Sequence, residues 1–330
     1  MTESQDIIAK LKDAQLVGCG GACFPTWMKW RAVKQQAGDK KVYVIANGSE
    51  GEPYVFKDEY VLKHHSEEFI EGIKIALKTF PNAEAIIYLN HDYYDRYKES
   101  LEKLSQGFPI TYFRKTARYI AGEETALISH IEGKRDEPRS KPPYPAESGL
   151  YNYPTLINNI ETFYRVYQIH NDTYSHKIFF SISGDVKNKG VFEFREYDTV
   201  KNILIETDNW PTSDFFVQIG GGASGAIFLP DELNIPKCGA ASIVVFDKEK
   251  TDVFKLMEFW ATFFAQENCD KCTPCREGSM RILEMTKNNN IDYKKMDNIF
   301  LSLEKTSFCP LGRSMATPYR TLISKVIKNG

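Results

Sequence analysis

The sequence predicts an α/β protein: a layered region built on a largely parallel sheet, then a small mixed β region, then a helical bundle. Three observations predict it. Over residues 5–170, apolar runs of strand length alternate with stretches of helical periodicity. From about 177 to 245, short β-rich runs are separated by turn residues. From about 250 onward the periodicity is helical.

In the first region, residues 41–46 (KVYVIA) and 84–89 read as strands, and residues 67–79 and 92–106 as helices. Phe69, Ile70, Ile73, Ala76 and Leu77 carry the helical spacing of 67–79. Residues 133–155 break the rhythm: their five prolines forbid regular helix or central strand, so a long ordered loop is expected. The β-rich runs are 178–183, 190–194, 215–219 and 241–246. Helices are expected over 253–266, 276–287, 292–305 and 314–327, four short helices on short loops. The expected domains are 1–174, 175–245 and 246–330, a division that suits a chain of 330 residues.

Composition excludes several classes. A net charge of −2 gives no electrostatic case for nucleic acid. No run of about 18 apolar residues is present, so no direct membrane insertion is expected. The first residues lack the apolar stretch of a secretory signal, which suggests a cytoplasmic placement. The cysteines are Cys19, Cys23, Cys238, Cys269, Cys272, Cys275 and Cys309. Their number is odd and three fall within seven residues, unlike a secreted disulfide framework.

Cys269, Cys272 and Cys275 form C-x2-C-x2-C, and Cys309 follows 34 positions later, just before Pro310. One loop can wrap three corners of a [4Fe–4S] cube while a distant loop supplies the fourth. Cys275 leads into a helix, whose N-terminal dipole favours thiolate. The alternative is a four-cysteine zinc site, although such sites usually present two separate C-x2-C pairs. Cys19, Cys23 and Cys238 are left over, the first two as small residues in a glycine-rich loop.

That loop, residues 17–26 (VGCGGACFPT), lets backbone N–H groups approach an anion, with Lys29 in the helix that follows. It lacks the Gly-Lys-Ser/Thr of a P-loop. Residues 46–53 (ANGSEGEP) directly follow a predicted strand, where ligands of α/β sheets bind. Asn47 can bond a base edge, and Glu50 and Glu52 can fix ribose or amide groups. Residues 119–125 (YIAGEET) place two carboxylates before a helix, where capping is an equal reading. No Ser/His/Asp or Cys/His arrangement is apparent, and the six histidines lie outside these motifs.

Five segments, in this order, resemble the FMN/NADH-binding subunit of respiratory complex I and the related diaphorase subunits of NAD-linked hydrogenases and formate dehydrogenases. They are GCGGACFPTWMKW (18–30), NGSEGEPYVFKDE (47–59), the stretch 119–162, the stretch 217–239 around IGGGASGAIF, and NCDKCTPCREGS (268–279) with CPLG (309–312). The resemblance implies a Rossmann-like flavin-binding domain, a ubiquitin-like β-grasp domain and a C-terminal four-helix bundle. It implies FMN contacts from Gly18, Gly20, Gly21, Lys29, Asn47, Glu50, Tyr119, Gly122, Glu123, Asn158, Asn159 and Thr162. Dinucleotide contacts would come from Phe24, stacked on adenine, and from Lys141, Tyr144, Glu52 and Glu124, the two carboxylates being the candidate catalytic pair. Cys269, Cys272, Cys275 and Cys309 would hold [4Fe–4S].

The implied activity is NADH dehydrogenase: NAD(H) reduces FMN by hydride transfer, and single electrons pass to the cluster. Implied partners are a thioredoxin-like [2Fe–2S] subunit and a larger iron–sulfur subunit, in a cytoplasmic assembly or one peripheral to a membrane complex. The chain departs from the family pattern at Cys19 for Arg, Cys23 and Trp27 for Gly, Ser49 for Asp, Tyr144 for Phe, and Ala32 for a second adenine-clamping aromatic. Loss of one stacking partner is worth about 1 kcal/mol. Two rivals follow: an electron-relay subunit that keeps flavin and cluster without NADH, and a zinc-bearing scaffold without flavin.

Overall fold

The computed structural model describes residues 3–80, 82–115, 118–236, 240–288 and 291–328. Cys238 lies outside them. The chain forms two compact units: residues up to 51, 56–117 and 121–178 make the first, and 52–55, 118–120 and 179 onward make the second.

The first unit contains four strands among the described residues: β1 (Val42–Gly48), β2 (Ala83–Leu89), β3 (Ile110–Arg114) and β4 (Thr155–Asn159). They lie in the order β3-β2-β1-β4 and every pairing is parallel, as the alternating pattern predicts. β1 is central. Six of its seven residues are buried, which a strand covered on both faces requires. The helix Ser66–Thr79 turns Phe69, Ile70, Ile73 and Ala76 inward at the spacing the sequence shows. It packs on the helix Ile160–His170 with backbone nearly touching backbone. A Cβ on Gly72 would sit 2.0 Å from the Phe163 carbonyl oxygen, so only glycine fits that crossing. The helix His91–Leu104 starts where the Asn90 side chain accepts from the Tyr93 N–H at 2.8 Å.

The proline-rich segment is ordered, as expected. It holds two short helical pieces, Pro145–Ser148, opened by a proline at its first position, and a 3-10 turn at Leu150–Asn152, and then leads into β4.

The second unit contains β5 (Lys177–Gly184), β6 (Gly190–Arg195), β7 (Phe215–Gly220), β8 (Ala226–Phe228) and β9 (Ala240–Asp247). Their order is β6-β5-β9-β7-β8, with β5 and β9 parallel and β7 antiparallel to both β9 and β8. β8 and the helix Val200–Glu206 are absent from the sequence reading. The helix is seven residues long, too short to show a period, and it is held by a Thr199 cap and by burial of Val200, Ile203 and Leu204.

The helical part comprises Val253–Glu267, Thr273–Lys287, Tyr293–Thr306, Pro310–Ser314 and Ala316–Leu322, followed by a π turn at Ile323–Ile327. The single expected helix at 314–327 is therefore two pieces, and the expected start at 276 moves back to Thr273. Phe216, Val244 and Phe246 of the sheet join Met257, Trp260, Phe264, Phe300 and Tyr319 in one core. Two polar anchors fix it: Trp260 Nε1 donates to the Gly222 carbonyl at 2.9 Å, and Tyr319 OH to the Met257 carbonyl at 2.9 Å. Among the described residues no helix is long and apolar enough to cross a membrane.

Candidate functional site

The strand order of the first sheet reverses between β1 and β4. In open parallel sheets the ligand crevice lies beyond the carboxyl ends of the strands at that reversal. There Asn47 and Asn159, the paired last residues of the β1–β4 ladder, stand side by side. Asn159 donates to the Asn47 carbonyl at 3.3 Å and to the Asp58 carboxylate at 2.7 Å. Asn47 donates to the Gly122 carbonyl at 3.0 Å and accepts from the Ser49 N–H and hydroxyl. A Cβ on Gly122 would meet Ser49 Oγ at 2.6 Å, so the 120s loop closes there only with glycine.

The glycine-rich loop belongs to the same place. It is a hairpin tip: Val17 pairs with Pro25, and the Gly18 N–H donates to the Phe24 carbonyl at 2.9 Å. The Cys19 N–H donates to Thr162 Oγ1 at 3.0 Å, and Gly20 lies against Asn159. Gly21 has φ of 102° at the bend, where a side chain would be strained. Phe24 points outward and is half exposed, as is Tyr144.

Beneath these groups lies a charged cluster that the motif reading did not assign. Lys57, almost fully buried, reaches Asp58 at 2.7 Å, Glu161 at 3.2 Å and Asn159 Oδ1 at 3.1 Å. Burial opposes its charge, but Asp58, Glu161 and Glu50 outweigh burial and hold the ammonium above its usual range. Glu50 accepts from Tyr93 OH at 2.7 Å and from the Asp58 N–H. Burial first, and then the Asp58 carboxylate, push its carboxyl up to about 8 against the pull of Lys57 and these donors. The signal for Lys57 was the sequence Phe56-Lys57-Asp58-Glu59, which has polar residues where the helix turns inward.

The second carboxylate group is a row of four alternating charges, Lys29, Glu124, Lys141 and Glu123. Lys29 reaches Glu124 at 3.3 Å, and Lys141 reaches Glu124 at 2.7 Å and Glu123 at 3.0 Å. Burial works to raise the Glu124 carboxyl, yet Lys29 and Lys141 hold it below its ordinary range. Glu123 also caps the next helix by accepting from the Thr125 and Ala126 N–H groups, so the capping reading holds for it. Asn158 faces the other side of β4. With its amide turned to pair both atoms, it accepts from Trp30 Nε1 at 2.9 Å and donates to the Ile157 carbonyl. Trp27 carries Arg31 and Lys12 over its ring.

Glu52 and Tyr119 belong to the second unit. Glu52 Oε1 accepts from the Ala223 and Ser224 N–H groups and the Ser224 hydroxyl, and its Oε2 from Tyr119 OH at 2.7 Å. Burial, then the Glu52 carboxylate, raise the Tyr119 phenol well above its usual range.

The same unit carries the four thiols. Cys272 precedes the helix Thr273–Lys287, and Cys275 lies in that helix's first turn. The loop before it is pinned by Asn268, which accepts from the Asp270 N–H at 2.9 Å, and by Arg276, which donates to the Asp270 carbonyl at 3.0 Å. Cys309 stands just ahead of the helix Pro310–Ser314. Burial first, and then Cys272, Cys309 and Cys269 as neighbours, drive the Cys275 thiol far above its usual range. Thiols set around a buried neighbour raise it in this way unless iron or another cation takes their charge, so a set with Cys275 at its centre and Cys269, Cys272 and Cys309 around it fits the thiolate chemistry of a cluster of iron. Among the described residues no group of three or more His, Cys, Asp or Glu converges as ligands of a single ion.

Comparison with known proteins shows the family of the chain. Residues 11–168 match the family model described as the Nuo51 FMN-binding domain, and residues 255–327 the NADH-ubiquinone oxidoreductase-F iron–sulfur binding region. The chain is 34% identical to the NADH-quinone oxidoreductase-F subunit of Streptomyces coelicolor, across 95% of this chain and 79% of that protein. It is 31% identical to the corresponding subunit of Aquifex aeolicus, across 97% of this chain and 84% of that protein. Among solved structures it superposes on a chain of an NAD+-reducing [NiFe]-hydrogenase in the H2-reduced state, with a TM-score of 0.89 and 29% identity over 97% of this chain. It spans 61% of that hydrogenase chain.

Proposed function

Because the chain belongs to the family of NADH-quinone oxidoreductase-F subunits, we propose that it is the electron-input subunit of a multi-subunit oxidoreductase, an NADH dehydrogenase that uses FMN and one [4Fe–4S] cluster. The observation that carries this reading is the β1–β4 junction, where Asn47, Asn159, Gly122 and the glycine-rich hairpin meet at the sheet's reversal point. FMN there supplies the conversion of a two-electron hydride donor into a source of single electrons.

The chain's own residues bind and orient. Gly20 and Gly21 bring backbone N–H groups to the phosphate end, Gly18 closes the hairpin beneath them through its bond to the Phe24 carbonyl, and Lys29 is the nearby cation. Asn47, Glu50, Gly122, Asn159 and Thr162 hold the ring and its edge, Asn158 supports them from the other side of β4 through Trp30, and Tyr119 is a contact that the family resemblance implies. Phe24 and Tyr144 give the dinucleotide exposed aromatic faces. Glu52, Glu124 and Lys141 fix its sugars and amide, with Glu123 alongside. Cys269, Cys272, Cys275 and Cys309 are the cluster ligands.

The division into 1–174, 175–245 and 246–330 is part of this proposal. A Rossmann-like domain, a β-grasp domain and a four-helix bundle would correspond to the parallel sheet, the mixed sheet with its helix Val200–Glu206, and the helices from Val253 onward. The relatives are named as subunits of larger oxidoreductases, and the partners we propose to carry electrons onward are a thioredoxin-like [2Fe–2S] subunit and a larger iron–sulfur subunit. A cytoplasmic site, peripheral to any membrane complex, goes with them.

The test is an anaerobic titration of the FMN-loaded protein with NADH, followed at the flavin absorbance band, with NADPH as control. Bleaching by micromolar NADH supports the dehydrogenase reading. A flavin that stays oxidised, in protein with FMN and iron in place, replaces it with the electron-relay reading that Ala32 and Trp27 raise.

A further inference from the structure

Ser307 lies one residue beyond the helix Tyr293–Thr306 and two residues before Cys309. It is 2% exposed. Its backbone is fully engaged: its N–H donates to the Leu303 carbonyl at 3.0 Å, and its carbonyl accepts from Arg313 Nε at 2.9 Å. Its hydroxyl is not. Among the described residues Ser307 Oγ has no hydrogen-bond partner. The usual retreat for such a hydroxyl is the carbonyl four residues back, which the neighbouring Thr306 takes at 2.7 Å and Thr286 takes in the preceding helix. Ser307 takes no such bond.

Gly312 shows where the hydroxyl stands. A Cβ there would lie 2.5 Å from Ser307 Oγ and 3.2 Å from Cys275 Sγ. The sum of those separations, 5.7 Å, is an upper bound on the distance between hydroxyl and thiol. A buried donor without a partner is costly, and native proteins retain one where something outside the chain answers it. Beside Ser307 the group that can answer is sulfur carrying negative charge.

We propose that Ser307 is a positioning residue of the iron–sulfur centre: its hydroxyl donates a hydrogen bond to a sulfide of the centre held beside Cys275 and raises the centre's reduction potential. The inference rests on the reading of the four cysteines as [4Fe–4S] ligands. An O–H directed at a cluster sulfur stabilises the reduced form more than the oxidised one, because the reduced form carries the extra electron. Gly312 has a matching role, since any side chain there would press on both Oγ and Sγ.

The experiment uses the full chain, purified anaerobically with its centre, beside Ser307→Ala and Ser307→Thr. Iron and acid-labile sulfide are assayed first. Potentiometric titration followed by electron paramagnetic resonance then gives the midpoint, and electron–nuclear double resonance after exchange into D2O reports exchangeable protons coupled to the cluster. Ser307→Ala is expected to lower the reduction equilibrium constant about tenfold, which for one electron is about 59 mV, and to lose one exchangeable proton. Ser307→Thr is expected to restore both. An unchanged midpoint and unchanged proton coupling in Ser307→Ala with full iron overturns the proposal alone. Wild-type protein without iron and sulfide overturns the cluster reading and this inference together. If Ser307→Ala loads no cluster, the wild-type spectrum decides: no exchangeable proton on the cluster overturns the proposal.

Discussion

The Lys57 ammonium sits 3.2 Å from the Glu161 carboxylate, and both residues are buried. Glu161 in turn binds Arg165 at 3.1 Å, and Asp58 binds both Lys57 and Asn159. Charges taken this far out of water are stable only as a set. Lys57→Met leaves Asp58 and Glu161 buried with one cation fewer. We expect it to cost roughly 3–5 kcal/mol of unfolding free energy, and to loosen FMN because Asn159 loses a fixed neighbour. Denaturant unfolding and the FMN dissociation constant, measured on the same preparation, check both halves.

The crossing of the helices Ser66–Thr79 and Ile160–His170 rests on Gly72. The smallest added side chain would lie 2.0 Å from the Phe163 carbonyl oxygen, and backbone yields less readily than a side chain. Gly72→Ala therefore destabilises by about 1–3 kcal/mol or more, despite alanine's better helix propensity. A thermal melt that rises in the variant would contradict the packing described here.

Glu50 gives the protein a pH dependence with a definite sign. Its native carboxyl is held up to about 8, above the ordinary carboxylate range, chiefly by burial and by Asp58. Between those two values the native state keeps a proton that the unfolded chain releases. Stability from this group is thus fully present below about pH 4, falls as pH rises, and levels off once the native carboxyl has ionised near 8. Glu50→Gln, which imitates the protonated form, flattens this slope. Each pH unit of the interval is worth roughly 1.4 kcal/mol at most, so unfolding curves at pH 5, 6.5 and 8 suffice. Parallel curves for wild type and variant would refute the assignment.

Glu124 faces two cations, Lys29 and Lys141. Glu124→Gln removes the charge that would repel an added 2′-phosphate and frees both ammoniums to meet it. The variant should reduce the NADH-over-NADPH preference by about tenfold or more, roughly 1.4 kcal/mol. The ratio of kcat/KM for the two dinucleotides measures it, and an unchanged ratio would place selection elsewhere.

β1, β2 and the helices Ser66–Thr79 and His91–Leu104 were legible because each carries its pattern over a long enough run, whereas the five-residue edge strands β3 and β4 and the helix Ile160–His170 were not read. β1 reads as a continuous apolar run, and Ser66–Thr79 repeats every third or fourth residue. The helix Val200–Glu206 and the three-residue β8 were not legible either, since neither is long enough to repeat. The last helix was misread because Pro310 opens a short helix of its own and the chain passes into a π turn at Ile323–Ile327, and a periodicity count passes over both changes. In the site, motif residues were legible as motifs. Their supports were not: Lys57, Tyr93, Trp30 and Ser307 act through contacts formed only on folding.

The hairpin at residues 18–24 has a consequence for how the protein is made. Its anchor, Thr162, lies 143 positions downstream of Cys19, and the Lys57 cluster waits equally on Glu161. A nascent chain therefore exposes the glycine-rich hairpin long before its support exists. The crevice at the β1–β4 junction, where we place FMN, closes in one late event, when β4 and the start of the next helix dock beside β1. Fragments ending before residue 160 should neither retain FMN nor protect the hairpin from proteases, and those reaching 178 should do both.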